Sequence, residues 1–211
     1  MGPLEWYHYL NYEIADPRTR DWILVRTLIP ITIITIAYLY FVLKCGPKYM
    51  ESRPAYSCRT FITIYNIFQI VSNATIVYLT FDNGWYRDYF LYCTEYDMSP
   101  TPQNMQFCRI LWLLMCLKII DYIETWLFVL RKKKAQISFL HLYHHVSTAY
   151  IMWLFLKYFC TGIVMTYVIV NCLIHVIMYT YYLISTMGPK IQKIINPVKR
   201  IITIMQMVRK Y

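Results

Sequence analysis

Long uncharged runs constrain this chain more than any other feature. Thr27 to Leu43, Phe61 to Phe81 and Ile163 to Met187 contain no Asp, Glu, Lys or Arg. A membrane-spanning helix needs about 20 mostly apolar residues, so each run reads as a transmembrane helix. Composition agrees: 58% of the 211 residues are hydrophobic and 15% charged, too little polar surface to clothe a water-soluble globule of this size. Two further apolar runs carry ionisable groups. Phe107 to Leu130 contains Lys118, Asp121 and Glu124, and Phe139 to Phe159 contains His141, His144, His145 and Lys157. Charges at membrane depth are costly and face a cavity or a partner, which marks function. The expectation is an all-α, polytopic transmembrane helix bundle with five spans. The last stretch, Lys190 to Tyr211, is an incomplete sixth, because Pro197 interrupts it and its apolar run, Ile201 to Val208, is too short to cross.

Charge placement sets an orientation. Lys44, Lys48, Arg53 and Arg59 lie between the first two spans, Arg131 to Lys134 between the third and fourth, and Lys190, Lys193, Lys199 and Arg200 after the fifth. The intervening loop, Asp82 to Gln106, holds four acids against Arg87 alone. Alternating basic loops place those loops in the cytosol and the N-terminus on the other side. The net charge of +10 is accounted for in this way and does not point to nucleic acid. No internal repeat is evident, so residues 1–211 read as a single domain. The seven cysteines form no CxxC motif. Cys93, Cys108 and Cys160 fall in or near the non-cytosolic loops, where a disulfide is chemically possible.

Residues three and four apart share a helix face. His141, His144 and His145 therefore point roughly one way, and Asn171, His175, Tyr179 and Tyr182 line one stripe of the fifth span. Lys118, Asp121, Glu124 and Thr125 line a stripe of the third. Bundled, three such stripes enclose one polar chamber. Taken singly, His175 reads as a satisfied core histidine and the Lys118 group as an ion network that only fixes helix packing; three imidazoles in one turn at membrane depth are harder to explain structurally. Diiron membrane enzymes use several histidine boxes, and five histidines in all are too few for that centre. A single zinc on three histidines, joined by Asp121 or Glu124, stays open by counting. A metal-free chamber is the other reading: neutral imidazole as base or nucleophile, with phenol and amide donors steadying an oxyanion. A basic loop beside such a chamber favours a polyanionic substrate with an apolar tail, and an acyl-CoA has both parts.

The segments "DPRTRDW", "GPKYM", "YNIFQIVS", "LKIIDYIETWLFVLRKK", "QISFLHLYHH", "NCLIHVIMYTYY", "MGPKIQK" and "TIMQM" occur in that order. On these motifs, across almost the whole chain, the sequence resembles the ELO family of very-long-chain fatty acid elongases, most closely its insect members. The resemblance implies a multi-pass enzyme of the endoplasmic reticulum membrane with a luminal N-terminus. Its reaction condenses a long-chain acyl-CoA with malonyl-CoA, releasing CoA and carbon dioxide and giving a 3-ketoacyl-CoA. It needs no metal or other cofactor. The partners implied are the two CoA substrates, the lipid bilayer and other enzymes of the elongation cycle. The implied catalytic set is His141, His144, His145 and His175, with His144 the first choice for an acyl-imidazole. The implied substrate-binding set is Lys118, Asp121, Glu124, Lys132, Lys133, Asn171, Tyr179, Tyr182 and Gln206.

Several positions depart from the family pattern. Lys118, Asp121, Glu124 and Thr125 stand where the family has Lys-x-x-Glu-x-x-Asp-Thr, so the two acids are exchanged. Cys160-Thr161-Gly162 replaces Pro-Gly-Gly, Pro197-Val198 replaces a Trp pair, and Arg209 replaces the second Gln of Thr-x-x-Gln-x-x-Gln. Seven helices are the family expectation, six of them enclosing a tunnel, so the chain reads as C-terminally truncated relative to that fold. The alternative function is an inactive elongase-like protein that binds acyl chains or partners with a full-length elongase.

Overall fold

In this computed structural model the described residues are 2–91, 97–188, 191–192 and 194–195. Helix α1 (Pro3–His8) is short and exposed, and a π-helical turn, Tyr9–Glu13, continues it. An irregular segment then leads to α2 (Ile29–Tyr40), which a π-helical stretch, Phe41–Cys45, joins to α3 (Gly46–Met50). Proline in the first turn suits the start of α2, since its missing N–H has no intrahelical partner there. Next come α4 (Arg59–Asp82), α5 (Pro102–Ile120), α6 (Tyr122–Leu130), α7 (Phe139–Tyr158) and α8 (Met165–Ser185). Thr101 and Ser138 cap α5 and α7, accepting from the amides of Asn104 and His141 at 3.2 Å each. Among the described residues there is no strand.

Among the described residues three helices are long and apolar enough to cross a membrane: Ile29–Met50, Arg59–Asp82 and Gly162–Ser185. They coincide with the three uncharged runs. The longer two have 24 residues, about 36 Å at the α-helical rise. The other two expected spans are helical but not equivalent. The run from Phe107 begins earlier, at Pro102, and is interrupted at Asp121, where the Glu124 amide bonds to the Asp121 carbonyl at 3.1 Å in the tighter i→i+3 pattern. Helix α7 matches the histidine-bearing run within a residue, and its polar groups leave it less apolar than the three. Most of the expected incomplete sixth lies outside the described residues.

Helix α4 lies along α8, α5 along α7, and α4 also meets α5; α2 runs beside α7, and α3 packs on α6. The core between them is formed by Phe107, Ile110, Leu111, Leu114 and Met115 of α5, Met152 and Leu156 of α7, and Val168 and Cys172 of α8. The polarity of the bundle is inverted relative to a soluble protein. Ile33, Ile36, Tyr40, Ile64, Phe68, Val71, Val170, Leu173 and Ile177 point outward, whereas Asn66, Gln69, Asn73, Lys118, Asp121 and His175 are buried. Lipid accepts the first set, and the second finds partners only inside.

One end of the bundle is closed by the segment from Ala15 to Arg26. Arg18 pairs with Asp16 at 2.6 Å and donates to the Cys160 carbonyl at 2.6 Å. The Asp16 amide donates to the Lys157 carbonyl at 2.8 Å, and Lys157 Nζ returns to the Arg26 carbonyl at 3.0 Å. Cys108 and Cys160, considered above for a disulfide, are buried free thiols here, with Cys108 Sγ 3.9 Å from the Cys160 carbonyl; Cys93 lies outside the described residues.

Candidate functional site: a buried histidine, lysine and carboxylate chamber

The polar stripes of α5, α6, α7 and α8 converge away from that closed end. At the centre stands Lys118, 2% exposed, whose Nζ donates to Asp121 Oδ2 at 3.1 Å and lies 3.2 Å from His175 Nε2. His175 Nδ1 lies 2.8 Å from the Asn171 carbonyl one turn earlier. A carbonyl only accepts, so Nδ1 carries a proton, and Nε2 faces Lys118 Nζ and, at 3.8 Å, Asp121 Oδ2. Asp121 Oδ1 accepts from Gln69 Nε2 at 2.8 Å and from the Tyr179 hydroxyl at 3.5 Å. The exchanged acids are thus both accommodated. The shorter Asp121 reaches Lys118 and Gln69 together, and the longer Glu124 places Oε2 3.8 Å from His145 Nε2.

The histidine triplet does not act as one face. His141 and His145, four residues apart, bring their rings to 4.3 Å. His141 Nε2 lies 2.9 Å from Thr125 Oγ1, which also meets the Tyr38 hydroxyl at 2.9 Å. His144 stands to one side, half-buried, with its ring 5.7 Å from that of His145. Glu124, His141 and His145 can offer ligand atoms that all lie within 4.8 Å of one another, so a two-histidine, one-carboxylate set is the metal-type grouping among the described residues. It replaces the three-histidine set considered from the sequence, because the helix pitch turns His144 aside.

Helix α4 supplies residues that the sequence reading did not select. Tyr65, Gln69 and Asn73 step by four along its buried face. Gln69 Nε2 also donates to the Tyr65 hydroxyl at 2.9 Å, and Asn73 Nδ2 donates to Gln69 Oε1 at 3.2 Å. The signal was present: the same i, i+4 spacing that marked Asn171, His175 and Tyr179 runs through the uncharged α4 sequence.

A cavity of about 910 Å³ borders this cluster at Tyr65, Glu124 and Tyr179. Arg59, Arg131 and Lys133 line it, and so do the buried Tyr65, Asn66, Glu124 and Tyr179, with Tyr182 between. Asn66 Nδ2 is buried without a hydrogen-bond partner among the described residues, as is Asn171 Oδ1. Lys133 therefore lines the main cavity, whereas Lys132 lines a separate one of about 370 Å³. Gln206 lies outside the described residues.

A helical membrane protein with a buried imidazole, ammonium and carboxylate chamber, beside a basic-lined cavity, is the class these features define. The chain matches the ELO: GNS1/SUR4 family over residues 23–209, and it belongs to that family. It is 35% identical over 186 residues to very long chain fatty acid elongase 1 of Mus musculus, covering 88% of this chain and 66% of that protein. It is 36% identical over 179 residues to very long chain fatty acid elongase 7 of Rattus norvegicus, covering 85% and 64%. An Aedes aegypti very long chain fatty acid elongase matches at 32% over 204 residues, covering 96% and 56%. The chain thus spans between about half and two thirds of the length of these relatives.

Proposed function

We propose that the chain condenses a long-chain acyl-CoA with malonyl-CoA, the first step of fatty acid elongation. The observation that carries this reading is the buried Lys118–His175–Asp121 cluster, with His141, His145 and Glu124 beside it, next to a cavity that Glu124 and Tyr179 line together with Arg59, Arg131 and Lys133. The cationic side chains suit the phosphates of CoA, and the apolar bundle suits the acyl chain. In the first step an imidazole nitrogen attacks the thioester carbonyl, the C–S bond breaks, and CoA leaves as the thiolate and takes a proton. His144 is the proposed carrier, with His145 against it. In the second step the C–C bond to the malonyl carboxylate breaks and carbon dioxide leaves. The remaining carbanion attacks the acyl-imidazole, whose C–N bond breaks to restore the histidine and release the 3-ketoacyl-CoA.

His175 and Lys118 serve charge and protons in this scheme. His175, fixed as the Nδ1–H tautomer by Asn171, offers Nε2 as a base, and the Lys118 ammonium beside it stabilises developing oxyanion charge. Asn66 Nδ2, buried without a described partner, is the amide placed to donate to a substrate carbonyl. No metal is required in any step.

The proposed setting is the endoplasmic reticulum membrane, with α7 and the α5–α6 rod crossing as well, the N-terminus luminal, and the Arg131 to Lys134 loop cytosolic. Incorporation of labelled malonyl-CoA into a 3-ketoacyl-CoA by microsomes carrying the chain tests the reaction. Product that disappears in His144→Ala is the expected result. Photolabelling by an acyl-CoA analogue with no product from any acyl length would instead identify the alternative, an elongase-like protein that binds acyl chains or a full-length elongase without condensing them. Zinc or iron at one ion per active protein, lost with His145→Ala, would overturn the metal-free scheme.

A further inference from the structure

We propose that Lys48, Lys132 and Lys134 form a second anionic site, separate from the main cavity, that holds the phosphate of an anionic phospholipid headgroup. The basic run Arg131 to Lys134 does not face one way. Arg131 and Lys133 line the main cavity, while Lys132 and Lys134 line the smaller one together with Lys48 and Glu51. The division is made by the backbone at the end of α6. The Lys133 amide donates to the Phe128 carbonyl at 2.8 Å and the Lys132 amide to the Val129 carbonyl at 3.0 Å. That is the Schellman pattern, which puts Lys132 at the left-handed position, φ 56°, where glycine is the usual occupant. A side chain there is disfavoured relative to the right-handed region, because its Cβ crowds the following carbonyl oxygen. Strain retained at such a position points to a use for the side chain. Here the side chain joins two other lysines.

The occupant follows from the walls and the depth. Lys48 sits in the last turns of the membrane-crossing helix Ile29–Met50, the level of the headgroups. Met50, Val129 and Phe128 give the same cavity an apolar lining, and the three lysines against Glu51 leave an excess of positive charge. No salt bridge of Lys48, Lys132 or Lys134 occurs among the described residues. Basic groups at a membrane surface attract anionic lipid, each contributing about 1 kcal/mol. The inference uses none of the chamber residues, and it moves Lys132 out of the substrate-binding set that the family resemblance implies, leaving Lys133 there.

The test is reconstitution of the full chain in phosphatidylcholine nanodiscs with and without phosphatidylserine, followed by mass spectrometry of the lipid retained on purification. Lys132→Gly is the informative variant, since glycine keeps the left-handed turn and removes only the ammonium arm. It should retain about fivefold less phosphatidylserine, with a melting temperature in pure phosphatidylcholine no lower than that of the parent. Lys133→Ala should retain phosphatidylserine as the parent does. Three results would each overturn the site: equal retention by Lys132→Gly, a lowered melting temperature in pure phosphatidylcholine that accounts for the loss, or loss of binding to a fluorescent CoA analogue in place of lipid. The last would assign Lys132 to the CoA cavity.

Discussion

The two ends of the bundle each bury a lysine and an ion pair, and they use them differently. At the chamber, Lys118 bonds to Asp121 and faces His175, so its neighbours are side chains that can exchange protons. At the closed end, Lys157 is fully buried and its Nζ donates to the backbone carbonyls of Arg26 and Arg20 at 3.0 and 3.5 Å. Arg18 holds Asp16 and the Cys160 carbonyl. These contacts tie the segment before α2 to the end of α7. A buried charge at membrane depth therefore does not by itself identify chemistry. The kind of partner around the lysine does: an imidazole and a carboxylate beside Lys118 at one end, backbone carbonyls around Lys157 at the other.

The largest expected effect lies at the chamber. His175→Ala and Lys118→Met should each lower condensation by about 10³-fold, with the protein still folded in detergent by size-exclusion chromatography. Unfolding of both variants, with no folded but inactive species, would erase the distinction between the two ends.

At the other end, Arg18→Met should cost about 3 kcal/mol of stability, because Asp16 is left buried without its cation. Thermal unfolding in detergent reads this, and the activity per folded molecule should stay near that of the parent. A stable Arg18→Met protein with a thousandfold lower rate would make the closed end part of the catalytic machinery.

Gly162→Ala sharpens the same point with a smaller effect. The Tyr89 ring occupies the place a Cβ would take at this buried position, so an added methyl forces the ring or the turn to shift, at about 2 kcal/mol. The loss should appear in melting temperature and be partly recovered by Tyr89→Leu in the same chain.

The smallest effect is a pH dependence on the loop before α5. Hydrogen bonds from the Ser99 hydroxyl and amide, and then from Asn104, hold the Asp97 carboxyl below its ordinary value. A carboxylate with a depressed folded pKa contributes stability that is complete above the unfolded value of 3.8 and is lost as pH falls through the folded one. Protease cleavage near Pro100 should therefore rise only below about pH 4, and Asp97→Asn should remove the step. A cleavage profile that is flat with pH in the parent would show that these bonds do not hold the loop.

Much of the site was legible as spacing. The uncharged runs became helices, the stripe of Asn171, His175 and Tyr179 faced inward, and Lys118 met Asp121 one turn away, because helical pitch alone sets which residues share a face. Tyr65, Gln69 and Asn73 obey the same rule, yet nothing local distinguishes a polar face that meets a carboxylate from one that caps its own helix. That required knowing that α4 lies against both α5 and α8. His144 illustrates the limit within a single turn: a face read at i, i+3 and i+4 is wide enough to place one of three imidazoles on its margin.

From the sequence alone came the helical class, the three uncharged membrane-capable runs and the family, since apolarity, pitch and motif order are properties of the chain itself. Tertiary structure decided the rest: that Asp121 is shared by Lys118, Gln69 and Tyr179, that Glu124 serves His145, that Asp16 and Arg18 close the far end, and that Lys132 and Lys133 turn to different cavities. The reason is physical. Periodicity fixes a direction around one helix axis, whereas a partnership also needs the distance and rotation between two axes, and those are set by packing.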